Sequence, residues 1–155
     1  MSETVTKPYK PKIRLQMTDG YKFVNEVVQS NKLHTVCEEA RCPNIYECWD
    51  RGTATIMILG DVCTRACGFC SVKTGKPIWD DPMEPLRTAM AVKKMNLRHV
   101  VVTSVDRDDL KGEFGAIIWA ETIQQIHQHV PKCTVEVLTP DFQGNAPSLL
   151  KVFAA

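Results

Sequence analysis

The hydrophobic positions of this chain change their spacing near Thr53, where a repeating unit begins. Each unit consists of a short apolar run, a loop, and a longer segment in which apolar residues recur at helical intervals. Short apolar runs bounded by turn residues are typical of buried strands. The runs cover residues 54–60, 99–104 and 134–140.

Two segments between these runs have the apolar spacing of helices. Residues 84–97 carry Pro85 where a first helical turn would begin, and apolar residues follow at every third position. Trp119 starts a second apolar face, which continues at positions i+4, i+7 and i+11. A further helix is predicted to start near Pro147. Strands that alternate with helices predict right-handed βαβ units, a parallel sheet, and functional loops at the carboxyl ends of the strands.

Three such strands with an uncovered edge do not make a closed architecture. We therefore predict an α/β fold in which parallel βα units form the first part of a partial TIM-type barrel. A cysteine-rich amino-terminal extension is predicted over residues 1–52, and the barrel segment over residues 53–155.

The extension divides into three stretches of different composition. Residues 1–12 contain three lysines and two prolines, which is typical of an arm without regular structure. The apolar spacing from Asp19 to Ser30 predicts a short helix. The cysteine-rich residues 34–52 predict an irregular loop with one helical turn.

Composition and charge exclude several classes of function. The chain has 155 residues, 44% of them hydrophobic, so a packed core is expected. Its 19 basic and 18 acidic residues leave a formal net charge of +1, which argues against a nucleic-acid partner. No stretch approaches the roughly 20 apolar residues of a membrane span, and the amino terminus lacks a secretion or transit signal. We therefore expect a cytoplasmic protein that does not act at a membrane.

Cysteine is the unusual residue type, because the chain has seven and six of them lie between Cys37 and Cys70. An odd number of cysteines without a secretion signal argues against a disulfide framework, since the cytosol keeps thiols reduced. Metal ligation is therefore the favoured use of these six thiols.

The first of two three-cysteine motifs directly follows the first predicted strand. Cys63, Cys67 and Cys70 have C-x3-C-x2-C spacing. Three thiolates on one short loop can hold three irons of a four-iron cluster and leave the fourth iron open, whereas electron-transfer clusters usually have four protein thiolates. Gly68 permits a tight turn between the ligands. The alternative is a zinc knuckle built on Cys67 and Cys70.

The second motif lies before the first predicted strand. Cys37, Cys42 and Cys48 have C-x4-C-x5-C spacing, which again supplies three thiolates and not four. A second cluster is predicted here if another group caps its remaining iron. The alternatives are a mixed zinc site with His34 as fourth ligand, or three buried reduced thiols.

The two motifs together resemble those of the lipoyl synthase family, within the radical S-adenosylmethionine superfamily. Phe69 occupies the position of the aromatic residue that this superfamily has before its last cysteine. By this resemblance the chain is expected to be the amino-terminal part of the family's chain. The matching segments cover nearly all of residues 33–144 and are HTVCEEARCPNIYECW, GTATIMILGDVCTRACGFCSVKTGKP, VVTSVDRDDL and VEVLTPDFQG.

The resemblance implies two 4Fe-4S clusters and S-adenosylmethionine as cofactors. The catalytic, radical-generating cluster would be held by Cys63, Cys67 and Cys70. The auxiliary cluster, consumed as the sulfur source, would be held by Cys37, Cys42 and Cys48. The implied reaction inserts two sulfur atoms at C6 and C8 of an octanoyl chain on a carrier-protein lysine. The implied partners are an octanoylated lipoyl domain or glycine-cleavage carrier protein and a reductant of the ferredoxin or flavodoxin type.

Further candidate ligands of the cofactor lie at the ends of the predicted strands. The resemblance implies that Phe69, at the aromatic position of the cysteine loop, binds the cofactor. It also implies that Ser104 and Asp106 do so, because the superfamily's loop after the second strand contacts the methionine amine. Thr139 and Asp141 are weaker candidates after the third strand. Helix capping or surface ion pairing is the alternative role for these polar residues. A non-catalytic iron-sulfur or zinc-binding module is the alternative function for the chain.

Overall fold

A computed structural model describes residues 16–78 and 81–155 of the chain. The predicted arm over residues 1–12 and the side chain of Trp79, predicted as a core or loop anchor, lie outside the described residues. No helix in the described part of the chain is long and apolar enough to cross a membrane. The elements are α1 (Asp19–Ser30), β1 (His34–Thr35), α2 (Val36–Glu39), α3 (Ile45–Asp50), β2 (Thr55–Ile58), α4 (Glu84–Lys94), β3 (His99–Ser104), α5 (Ala116–His129), β4 (Thr134–Leu138) and α6 (Ala146–Phe153).

The strands form one sheet in chain order, β1-β2-β3-β4. β2 pairs in parallel with β3, and β3 in parallel with β4, whereas the short β1 is antiparallel to β2. The helices α4 and α5 connect the parallel strands, as such crossovers require. The predicted α/β class with parallel βα units is therefore confirmed. Strand β2 ends earlier than the apolar run predicts, because Leu59 has a φ of 68° and turns the chain away.

The main hydrophobic core lies between the parallel strands and the helices α4 and α5. Trp119, predicted on the apolar face of α5, is fully buried. Ile126 on the same face is also fully buried, and burial of an aliphatic side chain of this size contributes roughly 1.5–3 kcal/mol. Cys133 is 3% exposed, which confirms its interpretation as a small buried residue.

The amino-terminal helices form a second, smaller core. Three valines on one side of α1 are fully buried together with Trp49 of α3. Helix α1 covers the predicted residues, and the side chain of Thr18 caps it by accepting a hydrogen bond from the amide of Tyr21 at 3.2 Å. Ala91 of α4 belongs to the same core, so α1 and α3 pack on the βα part of the chain.

The cysteine-rich stretch is more regular than the irregular loop predicted for residues 34–52, because it contains β1, α2 and α3. The hydroxyl of Thr35 accepts a hydrogen bond from the amide of Glu38 at 3.3 Å and donates one to the Glu38 carboxylate at 2.9 Å. This N-cap and its side-chain bond stabilise the four residues of α2. Helices of four and six residues are too short to produce a hydrophobic period, which explains the difference from the prediction.

The contact between α1 and α3 gives a stability test. A Cβ at Gly20 would lie 2.4 Å from the carbonyl oxygen of Asp50. Because this oxygen is a backbone atom, Gly20→Ala must push the two helices apart, and we expect it to lower the free energy of unfolding by about 1–3 kcal/mol. The control is Gly68→Ala, whose Cβ would meet nothing within 4 Å and should change stability by less than about 0.5 kcal/mol. Urea titrations followed by tryptophan fluorescence measure both values, and equal stabilities would contradict the described packing.

Candidate functional site

The candidate chemistry lies at the carboxyl edge of the parallel sheet. β2 ends at Ile58, whose register partner is Ser104, the last residue of β3. Thr103 in turn pairs with Leu138, the last residue of β4. The loops that follow these three strands therefore leave the sheet side by side.

A buried carboxylate fixes the start of the loop after β2. Leu59 and Gly60 both have positive φ values, of 68° and 86°. The carboxylate of Glu84, the first residue of α4, accepts hydrogen bonds from the amide of Leu59 at 2.7 Å and from the amide of Gly60 at 3.3 Å. Burial raises the pKa of Glu84, and the two amide hydrogen bonds act in the opposite direction. Glu84 thus stabilises a backbone conformation that a residue such as Leu59 rarely adopts.

The loop that carries the first three-cysteine motif is closed by backbone hydrogen bonds. The amide of Cys63 donates to the carbonyl of Lys73 at 2.9 Å, and the amide of Gly75 donates to the carbonyl of Cys63 at 2.9 Å. These two bonds hold the ends of residues 63–75 together, so both ends of the loop lie side by side at the sheet edge.

The three thiols of this loop differ in exposure. Cys63 is 8% exposed, whereas Cys67 and Cys70 are exposed to solvent. The amide of Cys70 donates to the carbonyl of Cys67 at 3.0 Å, which closes a tight turn between them. Phe69 within this turn is 94% exposed. Two thiols and an aromatic ring therefore face outward from the loop, and one thiol faces the sheet edge.

The Cys63 sulfur is surrounded by polar groups from two loops. The backbone amides of Arg65 and Asp106 donate to Sγ at 3.5 and 3.4 Å. The thiol itself donates to Oδ2 of Asp106 at 3.8 Å. Hydrogen bonds to cysteine sulfur are a means by which proteins tune iron-sulfur clusters. The surroundings of Cys63 therefore fit a cysteine that serves as a cluster ligand.

The two candidate ligands after β3 are placed differently. Asp106 lies beside Cys63, and burial raises the pKa of its carboxyl while the positive charge of Arg65 acts in the opposite direction. The Ser104 hydroxyl accepts a hydrogen bond from the indole Nε1 of Trp119 at 3.2 Å, so it is engaged inside the fold. Cofactor binding by Ser104, Asp106 and Phe69 stays a prediction.

The remaining acidic residues of the loop after β3 form ion pairs. Asp108 pairs with Arg65, and Asp109 pairs with the buried Arg107 at 2.8 Å. Hydrogen bonds from these arginines lower the pKa of each carboxyl. Ion pairing, the alternative role for the polar residues after the strands, also applies to the candidates Asp106 and Asp141, which both pair with Arg65.

The second three-cysteine motif lies toward the other end of β2. Because β1 is antiparallel to β2, Thr35 pairs with Ile56, and the chain then continues toward the amino end of β2. Cys37 lies in α2 and Cys48 in α3, with Cys42 in the connection between the two helices.

The three thiols of the second motif interact electrostatically. Burial raises the pKa of Cys48, and the charges of Cys37 and Cys42 raise it further. The amide of Cys42 donates to the carbonyl of Cys37 at 3.0 Å, which turns the chain back after α2. Since metal ligands must be deprotonated, a bound cation would relieve the mutual repulsion of these thiolates. The three thiols therefore lie close enough to influence one another's charge.

Within residues 16–78 and 81–155, no three His, Cys, Asp or Glu side chains are already arranged around a common point that could hold a metal ion. The argument that an iron-sulfur group could bind here therefore depends on the chemistry of the cysteine thiols and not on their present arrangement. All seven cysteines are free thiols, so the six in the two motifs are available as ligands. Thiolates are the protein ligands that such clusters use.

Several curated proteins are similar to this chain. The lipoyl synthase of Myxococcus xanthus is 52% identical over 155 residues, which is 100% of this chain and 52% of that protein. The lipoyl synthase of Rubrobacter xylanophilus is 56% identical over 144 residues, 93% of this chain and 44% of that protein. The mitochondrial lipoyl synthase of Nematostella vectensis is 48% identical over 157 residues, 98% of this chain and 54% of that protein. No protein-family model matches the chain.

The chain belongs to the lipoyl synthase family. It spans about half the length of the curated relatives it matches. The predicted resemblance, which rests on the two three-cysteine motifs, is therefore confirmed.

Two residues of this chain have contacts that its hydrophobic pattern did not predict. Glu84 precedes Pro85 in a first helical turn, where an acidic residue is expected to stabilise an exposed helix end. Its contact with Leu59 and Gly60 spans 25 and 24 positions and leaves no local signal. The contact of Arg65, in contrast, has an indication in the sequence. Arg65 is the one arginine between Cys63 and Cys70, and the acid-rich stretch at residues 106–109 supplies carboxylates of opposite charge.

Two neighbouring cavities lie on the side of the sheet where His34 and Arg87 are found. Their volumes are about 110 and 370 Å³, and both residues contribute to the walls of each. The larger is lined by Glu38, which follows Cys37, and the smaller by Val62, which precedes Cys63. The two cavities therefore reach a residue next to Cys37 and a residue next to Cys63.

The raised pKa of Glu84 gives a pH test. Its folded-state pKa exceeds the ordinary value of 4.5, so the folded chain holds this proton more tightly than the unfolded chain does. The contribution of this tighter proton binding to the free energy of unfolding is therefore fully present below pH 4.5. It is lost as pH rises through the folded-state pKa. A tenfold difference in proton affinity between the folded and the unfolded chain corresponds to about 1.4 kcal/mol of this stability.

We expect Glu84→Gln to remove this dependence, because glutamine does not titrate. In urea titrations between about pH 4 and pH 8, the unfolding free energy of the chain should therefore fall relative to that of Glu84→Gln as pH rises. The exposed Glu121→Gln on α5 is the control and should leave the pH profile unchanged. Parallel profiles for the chain and Glu84→Gln would contradict the buried position of this carboxyl.

Proposed function

We propose that this chain forms the cluster-binding part of a lipoyl synthase, which inserts two sulfur atoms at C6 and C8 of an octanoyl chain attached to a carrier-protein lysine. The observation that carries the proposal is the presence of two separate three-thiol segments on one small sheet. One follows β2 at the carboxyl edge, and the other follows β1. Relatives of that name at 48% to 56% identity support it.

The chemistry of the proposed substrate explains why two thiol segments are needed. An unactivated aliphatic C–H bond offers no acidic proton to a general base and no electrophilic carbon to a nucleophile. Hydrogen abstraction by a carbon radical avoids both requirements. The resulting carbon must then meet sulfur, and a sulfur source held on the same chain acts at high effective concentration.

We assign the ligands of each group as follows. Cys63, Cys67 and Cys70 would hold a 4Fe-4S cluster, which with S-adenosylmethionine at its open iron supplies the hydrogen-abstracting radical. The auxiliary 4Fe-4S cluster, the sulfur source, would be held by Cys37, Cys42 and Cys48. The exposed ring of Phe69 offers an apolar surface beside the first set of thiols.

The loop after β3 would bind the amine of the cofactor's methionine. The carboxylate of Asp106 already lies beside Cys63 and is a hydrogen-bond acceptor for an ammonium group. The hydroxyl of Ser104 lies at the end of the same strand and has a second lone pair free for a ligand beyond its bond to Trp119. Both side chains would orient the cofactor and take no part in bond breaking.

We also propose that the sheet is the first part of a partial TIM-type barrel. The apolar side chains of Leu138, Leu150 and Phe153 are 52%, 64% and 89% exposed, which supports packing against further barrel units. The cytoplasm is the proposed compartment, because seven free thiols are stable where the surroundings are reducing.

The proposed partners follow from the reaction. An octanoylated lipoyl domain or glycine-cleavage carrier protein presents the substrate on a lysine side chain. A reductant of the ferredoxin or flavodoxin type supplies the electrons for reductive cleavage of the cofactor.

A second candidate function is a zinc-binding or electron-carrying module without catalysis. The tight turn between Cys67 and Cys70 favours it, because a C-x2-C pair on a turn is a common zinc ligand pair. The metal content distinguishes this function from the first.

The experiment is oxygen-free reconstitution with iron and sulfide, followed by measurement of iron, sulfide and zinc per chain. We expect about eight irons for the chain, since each three-thiol segment holds about four. Replacing the three cysteines of either segment by alanine should remove about four irons and leave the other segment loaded. Cys133→Ala is the control and should keep all of them.

The spectrum of the reduced protein separates catalysis from electron transfer. S-adenosylmethionine should change the electron paramagnetic resonance signal of the cluster that depends on Cys63, Cys67 and Cys70, and not that of the other cluster. Zinc in place of iron, or a signal that the cofactor leaves unchanged in every variant, would overturn the proposed function.

A further inference from the structure

The guanidinium of Arg65, within the first cysteine loop, contacts carboxylates on two other loops. Its Nε and Nη2 donate to the two oxygens of Asp108 at 2.7 and 2.8 Å. Its Nη1 and Nη2 donate to the two oxygens of Asp141 at 2.9 and 2.8 Å. Asp108 follows β3 and Asp141 follows β4, so one side chain joins the loops of three parallel strands.

The backbone around Arg65 is attached to the same neighbouring loop. The amide and the hydroxyl of Thr64 both donate to the carbonyl of Asp106, each at 3.0 Å. The amide of Asp108 donates back to the Thr64 hydroxyl at 3.1 Å. Loss of the guanidinium would therefore leave the loops after β2 and β3 joined by the bonds of Thr64 and of the Cys63 sulfur, without an ion pair between them.

The closure of these loops determines the surroundings of the Cys63 sulfur. One of the two amides that reach Sγ belongs to Arg65 and the other to Asp106 on the facing loop. The Asp106 carboxylate that accepts the hydrogen bond of the thiol belongs to the facing loop as well. If the two loops separate, Cys63 loses one amide and one carboxylate and becomes open to solvent.

The contact requires arginine. A planar guanidinium can bind two carboxylates in forked geometry at once, whereas an ammonium group is a single compact charge. The pairing holds the pKa of Asp141 at about 2 and that of Asp108 below its usual range, so both remain charged at neutral pH. Asp106, 3.5 Å from Nη1, is the third carboxylate that faces this guanidinium.

We infer that Arg65 is a positioning residue, which locks the cysteine loop onto the loops after β3 and β4 and keeps the Cys63 thiol covered beside Asp106. The inference rests on the proposed function only for the use of Cys63 as a cluster ligand. The locking itself is a property of the metal-free chain, so its test does not depend on catalysis.

The test is the rate at which iodoacetamide labels each cysteine in the metal-free 155-residue chain, resolved by peptide mass spectrometry. We expect iodoacetamide to label Cys63 roughly tenfold faster in Arg65→Gln than in the unchanged chain. This corresponds to about 1.4 kcal/mol less free energy favouring the closed arrangement of the loops. Arg65→Lys should not restore slow labelling, because lysine cannot bridge Asp108 and Asp141. Asp108→Asn should reproduce the effect, since it removes one side of the bridge.

Two controls distinguish loss of the Arg65 bridge from other effects of a substitution. Cys133 is buried far along the chain in the main core and should label at an unchanged slow rate in every variant. Arg51→Gln removes an arginine whose partner is the exposed Glu47 on α3 and should leave Cys63 slow. An unchanged Cys63 rate in Arg65→Gln would overturn the inference. A parallel rise at Cys133 would also overturn it, because that outcome indicates general destabilisation and not local opening.

Discussion

The parallel pairing of β2, β3 and β4 is the constraint on which the candidate site depends. Parallel strands must all end at the same edge, so the loops after Ile58, Ser104 and Leu138 are neighbours although they are separated by dozens of residues in the sequence. Cys63 contacts Asp106, and Arg65 contacts Asp141, only because of this register. A shift of one residue would turn the inward side chains outward and separate the thiols from their polar neighbours.

The same strand β2 also relates the two cysteine motifs. β1 pairs with it in the antiparallel sense, so Cys37 lies toward its amino end, whereas Cys63 lies beyond its carboxyl end. Four strand residues span about 13 Å at roughly 3.3 Å each. Two neighbouring cavities lined by His34 reach Glu38, next to Cys37, and Val62, next to Cys63.

Sequence patterns predicted the parts of the fold that depend on local periodicity. The bounds of α1 and β3 agree with the structure, and the two cysteine spacings indicated the family. The contact of the buried Glu84 leaves no local signal in the sequence, and the Arg65 bridge leaves only the acid-rich stretch, because their partners lie 24 to 76 positions away. The short helices α2 and α3 depend on capping by Thr35 and burial of Trp49, which produce no hydrophobic period. The domain boundary at residue 52 and the cofactor contacts of Ser104, Asp106 and Phe69 stay predictions.

The function proposed for this small sheet requires that both three-thiol segments hold iron, each in its own cluster. An anomalous diffraction map at the iron absorption edge, from crystals of the chain reconstituted without oxygen, shows directly where iron is bound. We expect two separate iron peaks, one within bonding distance of Cys63, Cys67 and Cys70 and one within bonding distance of Cys37, Cys42 and Cys48. A map without iron at the loop after β2, or with peaks at the zinc edge in its place, would contradict this arrangement.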